Sequence, residues 1–148
     1  MEVDVTVSIV IARPRDVVAA YAADPTNAPE WYRRITSIEW QTPPPVAVGS
    51  RMDFVAHFLG RRLAYTYEVR ELVPGERLVM GTAQGPFPME TTYTWADEGD
   101  GATKMSLRNR GRPSGIWRLM APVMTASVRR ATSGDLTALK HRLEVPIP

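Results

Sequence analysis

Between residue 35 and Gly111 the apolar residues recur at every second position, segment after segment, and past Gly111 the period switches to three or four. Period-two segments joined by short turns read as consecutive antiparallel strands, because a parallel partner needs a crossover of a dozen residues or more. Ile35 to Gln41 is the first such strand, closed by Pro43-Pro44-Pro45. Met52, Phe54, Ala56 and Phe58 share one face of the next, and Leu63, Tyr65, Tyr67 and Val69 one face of the strand after Gly60. Leu78 and Met80 form a short strand between Pro74-Gly75 and Gly85-Pro86. Met89, Thr91, Tyr93 and Trp95 then alternate with polar residues up to a turn at Asp97–Gly101. Met105, Leu107 and Asn109 carry the pattern through the last strand.

Ahead of this series, Val3, Val5, Val7, Ile9 and Ile11 alternate as a half-buried strand. Pro14 suits a first helical turn, Val17, Val18, Tyr21 and Ala22 give a short apolar stripe, and Asp24-Pro25 ends it. Asn27 to Trp31 reads as a second short helix capped by Asn27. At the other end, Trp117, Met120, Met124, Val128 and Ala131, followed by Leu136, Leu139 and Leu143, mark a helix from about Ile116 to Leu143. Its length would be roughly 42 Å at 1.5 Å per residue. Pro122 either starts its main part or kinks it, and Gly134 is either a close approach to sheet or ligand or a tolerated weak spot.

A sheet with one apolar face needs a cover, and the terminal helix is the long amphipathic element available. The expectation is therefore an α+β chain, one domain over residues 1–148. A curved antiparallel sheet of about seven strands would wrap the C-terminal helix, with two short helices after the first strand.

Composition narrows the function classes. Hydrophobic residues at 44% and charged residues at 23% are those of a globular chain. Without cysteine there is no disulfide and no thiolate nucleophile or ligand. Sixteen arginines against two lysines leave a net charge of only +2. Arg108, Arg110 and Arg112 fall on one strand face, but no block of like charge forms, so they read as a solvated outer face and not as a nucleic-acid surface. Acids at Glu2 and Asp4 stand where a signal peptide would be basic, and no apolar run reaches the roughly 18 residues of a membrane span. The reading is a soluble, cytoplasmic monomer or homodimer without nucleic-acid partner or stable membrane insertion. The sequence holds no metal-ligand cluster, glycine-rich phosphate loop or Gly-x-Ser-x-Gly elbow, so no metal or cofactor is expected.

Several local signatures fit this order of elements: Ala12-Arg13-Pro14 leading into Val17–Tyr21, Asp24-Pro25 followed by Trp31, Val48-Gly49-Ser50-Arg51, Val73-Pro74-Gly75-Glu76-Arg77-Leu78, Gly99–Lys104, and the closing Leu136–Leu143. With them the chain resembles the polyketide cyclase/dehydrase and lipid-transport proteins of the START-like (SRPBCC, helix-grip, Bet v 1-like) superfamily. The resemblance implies a helix-grip fold with a ligand cavity, and no single reaction.

The candidate ligand-binding residues are Trp31, Phe54, Phe58, Tyr65, Tyr67, Met80, Tyr93, Trp95, Asn109, Trp117, Met120 and Met124. Tyr65 and Tyr67 would orient a ligand carbonyl, or simply reach water at the pocket edge. Trp31 and Tyr32 would gate the cavity mouth or plug it. His57, the obvious candidate base, falls by alternation on the face opposite Phe54 and Phe58. The leading expectation is binding of a hydrophobic small molecule such as a lipid, polyketide or aromatic metabolite. The alternatives are a cyclase/dehydratase using the pocket tyrosines and a non-catalytic interaction or stress-response module.

Overall fold

The computed structural model describes residues 2–58, 60–85 and 87–145, without the side chains of Phe58, Ile116 and Trp117. Strand β1 (Val3–Ile11) is followed by helix α1 (Arg15–Ala22), a 3₁₀ turn at Pro25–Asn27 and helix α2 (Ala28–Trp31). Then come β2 (Ile35–Trp40), β3 (Arg51–Phe58), β4 (Arg61–Val73), β5 (Arg77–Gln84), β6 (Met89–Asp97) and β7 (Thr103–Gly111). Helices α3 (Ile116–Leu119) and α4 (Ala121–Glu144) close the chain. The seven strands form one sheet in the order β1-β7-β6-β5-β4-β3-β2, every pair antiparallel. This is the helix-grip arrangement expected from the switch of period at Gly111.

Of the two readings of Pro122, the structure shows the first: the terminal helix breaks at Met120 after a short first segment, and Pro122 sits in the first turn of α4, where a missing N–H costs nothing. One detail differs from the sequence reading. Asn27 does not cap α2 with its side chain; its Nδ2 donates to the carbonyl of Tyr21, and the side-chain cap lies one element earlier, where the Asp24 carboxylate accepts from Thr26 N at 3.0 Å at the start of the 3₁₀ turn.

The inner face of the sheet and the inward stripe of α4 make the core. Val5, Ile11, Met52, Leu78, Met105, Leu107, Leu136 and Leu139 are fully enclosed there. α4 runs against β1, and its C-terminal end is fixed to the chain between β1 and α1. Arg13 Nη1 donates to the carbonyl of Leu143 at 2.7 Å, and Glu144 Oε2 accepts from Ala12 N at 2.7 Å. An arginine on the last carbonyls of a helix satisfies groups that have no partner within the helix. That contact gives the Ala12-Arg13-Pro14 signature a structural reason.

The outer face is a mosaic of ion pairs. Arg108 meets Asp4 at 2.6 Å, Arg110 meets Glu2 at 2.9 Å, and Arg51 meets Glu68 at 2.9 Å. The arginine alternation in β7 is thus matched by Asp4 on β1 and Glu2 just before it, across a register that sets Asp4 beside Arg110 and Thr6 beside Arg108. His57 is exposed, as its alternation predicts. Gly134 approaches nothing closely: the nearest group to an added Cβ would be an Arg33 guanidinium nitrogen at 3.9 Å. Its presence in α4 is the tolerated weak spot.

Candidate functional site

A cavity of about 180 Å³ lies between the sheet and α4. Its sheet wall follows directly from strand pairing: Phe54 stands opposite Tyr65, Met80 opposite Thr91, and Thr91 opposite Asn109. Phe54, Tyr65 and Tyr67 form an aromatic cluster, with Tyr65 and Tyr67 edge-on at 5.0 Å between ring centroids and Phe54 stacked on Tyr65 at 5.7 Å. The helix wall is Met124, Val128, Ala131, Thr132 and Asp135, one stripe of α4. The size is below the several-hundred-Å³ scale usual for ligand pockets. It nevertheless exceeds the roughly 150 Å³ that admits benzene to an engineered cavity.

Of the sequence candidates, Phe54, Tyr65, Tyr67, Met80, Tyr93, Asn109 and Met124 line this cavity. Trp31, Trp95 and Met120 do not. Trp31 is fully enclosed, packed against Tyr32 at 4.1 Å and Tyr93 at 5.9 Å, which makes it a plug fixing α2. Trp95 is two residues further along β6 than Tyr93 and borders a separate hollow between α1, Trp40 and Pro44–Val46. Met120 precedes α4 and joins a satellite cluster around Val3, Val5 and Phe87. The side chains of Phe58 and Trp117 lie outside the described residues.

Polar groups inside the cavity are organised in two sets. The first crosses from sheet to helix: Tyr67 Oη to Thr91 Oγ1 at 2.8 Å, Thr91 Oγ1 to Asn109 Oδ1 at 2.8 Å, and Asn109 Nδ2 to Thr132 Oγ1 at 3.1 Å. The proton direction is fixed. An amide oxygen only accepts, so Thr91 gives its proton to Asn109 and must accept the proton of Tyr67. Burial pushes the Tyr67 phenol up to about 12, partly offset by the bond to Thr91. Asn109, a candidate ligand contact from sequence, has both ends of its amide engaged.

The second set surrounds Asp135. Its Oδ1 accepts from Arg33 N at 3.0 Å, and the residue is only 5% exposed. Burial raises its carboxyl to about 6, against the opposing effects of the Arg33 N–H and of the nearby Arg34 and Arg33 guanidinium charges. Tyr32 and Tyr93 share a hydrogen bond between their hydroxyls. Burial drives both phenols well above their ordinary value, as it does Tyr65, and the Asp135 charge adds to the rise in all three. Three phenols therefore stand within the field of one enclosed carboxylate. Tyr65 Oη makes no hydrogen bond to a described residue.

Asp135 is the main residue that sequence reasoning missed. The signal was present: the stripe Met124, Val128, Ala131 steps next to residue 135, and an acid at an inward position of an amphipathic helix is conspicuous. Thr91 was likewise placed on the inward face of its strand without being singled out. Tyr32 follows Trp31 and enters the cavity from the extended residue that ends α2.

A curved antiparallel sheet gripping one long helix over an aromatic cavity defines the START-like class. The chain belongs to the polyketide cyclase/dehydrase and lipid-transport family, whose sequence profile matches residues 2–144. Among solved structures it is similar to a Thermus thermophilus protein, with a TM-score of 0.82 and 19% identity over 95% of this chain and 96% of that one. It is also similar to the ZhuI aromatase/cyclase of a Streptomyces species, with a TM-score of 0.81 and 17% identity over 97% and 94% of the two chains. A START superfamily protein from Mycobacterium smegmatis follows at a TM-score of 0.79 and 14% identity over 95% and 97%. No curated protein matches the chain. No helix among the described residues is long and apolar enough to cross a membrane.

Proposed function

We propose that the chain binds a small hydrophobic molecule, of the size of a substituted aromatic ring, in the cavity between β3–β7 and α4. The observation that carries this reading is the aromatic wall of Phe54, Tyr65, Tyr67 and Tyr93 facing the helix stripe of Met124, Val128 and Ala131 across the cavity. Enclosure by apolar walls removes the ligand from water, at about 25 cal/mol per Å² of apolar surface. The test is native mass spectrometry of the chain and of Ala131→Trp, which fills the cavity from the helix side. Retention of an apolar ligand by the parent chain and its loss in Ala131→Trp is the expected result. Equal retention by both would end the proposal.

A second reading, cyclase/dehydratase chemistry, gains from one observation. His57, the sequence's candidate base, faces outward, but Asp135 lines the cavity with a carboxyl near 6 that changes protonation close to neutral pH. In that role Asp135 would take or return a substrate proton while the unengaged Tyr65 hydroxyl polarises a carbonyl. Turnover of a poly-β-keto substrate mimic that survives Asp135→Asn at full rate would exclude it.

A further inference from the structure

Resting on the cavity reading above, a narrower question is what chemistry the cavity selects. Its walls are mostly apolar; besides the hydroxyl and amide groups described above they carry the Arg34 and Arg110 side chains and one acid, Asp135, enclosed at 5% exposure. The hydrogen bond described to that carboxylate comes from a backbone amide, Arg33 N, at Oδ1. The second oxygen, Oδ2, has no described donor, so it is open to a ligand that brings one. On the opposite wall the Tyr65 hydroxyl has a proton to give and no described acceptor. Of the other inward groups, Tyr67 donates to Thr91, Thr91 to Asn109 and Asn109 to Thr132, while Tyr32 and Tyr93 share one hydrogen bond.

We infer that Asp135 and Tyr65 form a selective subsite for a phenolic ligand. The ligand hydroxyl donates to Asp135 Oδ2 and its oxygen accepts from Tyr65 Oη, while the ring lies against Phe54 and Tyr67. A hydroxyl bound this way is both donor and acceptor, which is what the two unfilled positions require. A ligand carboxylate offers no proton to Asp135 and places a second negative charge beside it. A bare hydrocarbon fills the volume and leaves both positions unfilled. The subsite therefore ranks ligands of one shape by their polar group, with phenol first.

The test uses three probes of one shape: 4-methylphenol, toluene and 4-methylbenzoate, titrated at pH 7.5 into the full chain and followed by NMR shifts of the Ala131 methyl. The expected order is 4-methylphenol tightest, with toluene weaker by about ten-fold or more, as a hydrogen bond to a charged group gives. Asp135→Asn keeps an oxygen for Arg33 N but presents an N–H₂ to the ligand. It should bring 4-methylphenol and toluene to within about two-fold and strengthen 4-methylbenzoate. Tyr65→Phe, which removes a hydroxyl without a described partner and so keeps the fold testable should Asp135→Asn unfold, should weaken 4-methylphenol several-fold and leave toluene unchanged. Equal binding of 4-methylphenol and toluene by the parent chain, or tightest binding of 4-methylbenzoate, overturns the subsite but not the cavity. So does a phenol preference that survives both variants. Failure of all three probes to bind, or undiminished binding to Ala131→Trp, overturns the cavity reading and the subsite with it.

Discussion

Asp135, in the middle of α4, accepts the backbone N–H of Arg33 at 3.0 Å, and so ties the long helix to the residues between α2 and β2. The same carboxylate lines the cavity, so one side chain takes part both in closing the fold and in setting the character of its interior. A buried acid in this position makes stability depend on pH in a defined direction.

Burial raises the Asp135 carboxyl from 3.8 to about 6, so between those values the folded chain holds a proton that the unfolded chain has released. The stabilisation is complete below about pH 4, is lost as pH rises to about 6, and changes little above. Two pH units correspond to roughly 3 kcal/mol. Asp4 and Glu144 have lowered carboxyls and act oppositely at lower pH, so the parent-minus-Asp135→Asn difference isolates the effect. Urea midpoints at pH 4, 5, 6 and 7 should show that difference shifting in favour of Asp135→Asn as pH rises. A difference that stays flat would assign the titration elsewhere.

Asn109 joins β6 to α4 through Thr91 and Thr132. Asn109→Ala leaves the Thr91 proton and a buried Thr132 hydroxyl without their partner, which should cost about 2 kcal/mol. Tyr67→Phe removes only the end of the chain, and Thr91 still donates to Asn109, so its cost should be near 1 kcal/mol. Denaturant unfolding of both variants checks the ranking.

Arg13 caps the last turn of α4 from the loop after β1. Arg13→Gln should lower stability by about 1 kcal/mol. Hydrogen exchange should quicken in the last turn of α4 while the amides of β5 and β6 stay unchanged. Uniform quickening would contradict a local role.

Two glycines fail for different reasons. Gly75, at φ +77° with open space around an added Cβ, should lose about 1 kcal/mol as alanine through backbone conformation alone. Gly81 has an ordinary backbone, but an added Cβ would lie 2.3 Å from the Arg70 guanidinium carbon. Gly81→Ala should therefore displace Arg70, which donates to the carbonyl of Thr82 at 3.2 Å, and cost little more once Arg70→Ala is also present. A thermal-melt double-mutant cycle distinguishes the two cases.

The sequence by itself determined the element order, the antiparallel sheet and its inward face. Side chains alternate with a period of two whatever surrounds them, so Phe54, Tyr65, Tyr67, Tyr93 and Asn109 had to share a side. What only the tertiary structure decided was the third dimension of that face. Trp95 is on the same side as Tyr93, yet curvature carries it into another hollow, and Trp31 is drawn under Tyr93 and away from the cavity. At Pro122 the sequence left two outcomes open, a start or a kink, and the tertiary structure shows the start, with the break at Met120. Asp135 shows the division most clearly. Its place on the α4 stripe was legible from spacing, but its enclosure, its bond to Arg33 and its raised carboxyl arise because residues a hundred positions apart meet, and periodicity along one chain carries no information about that meeting.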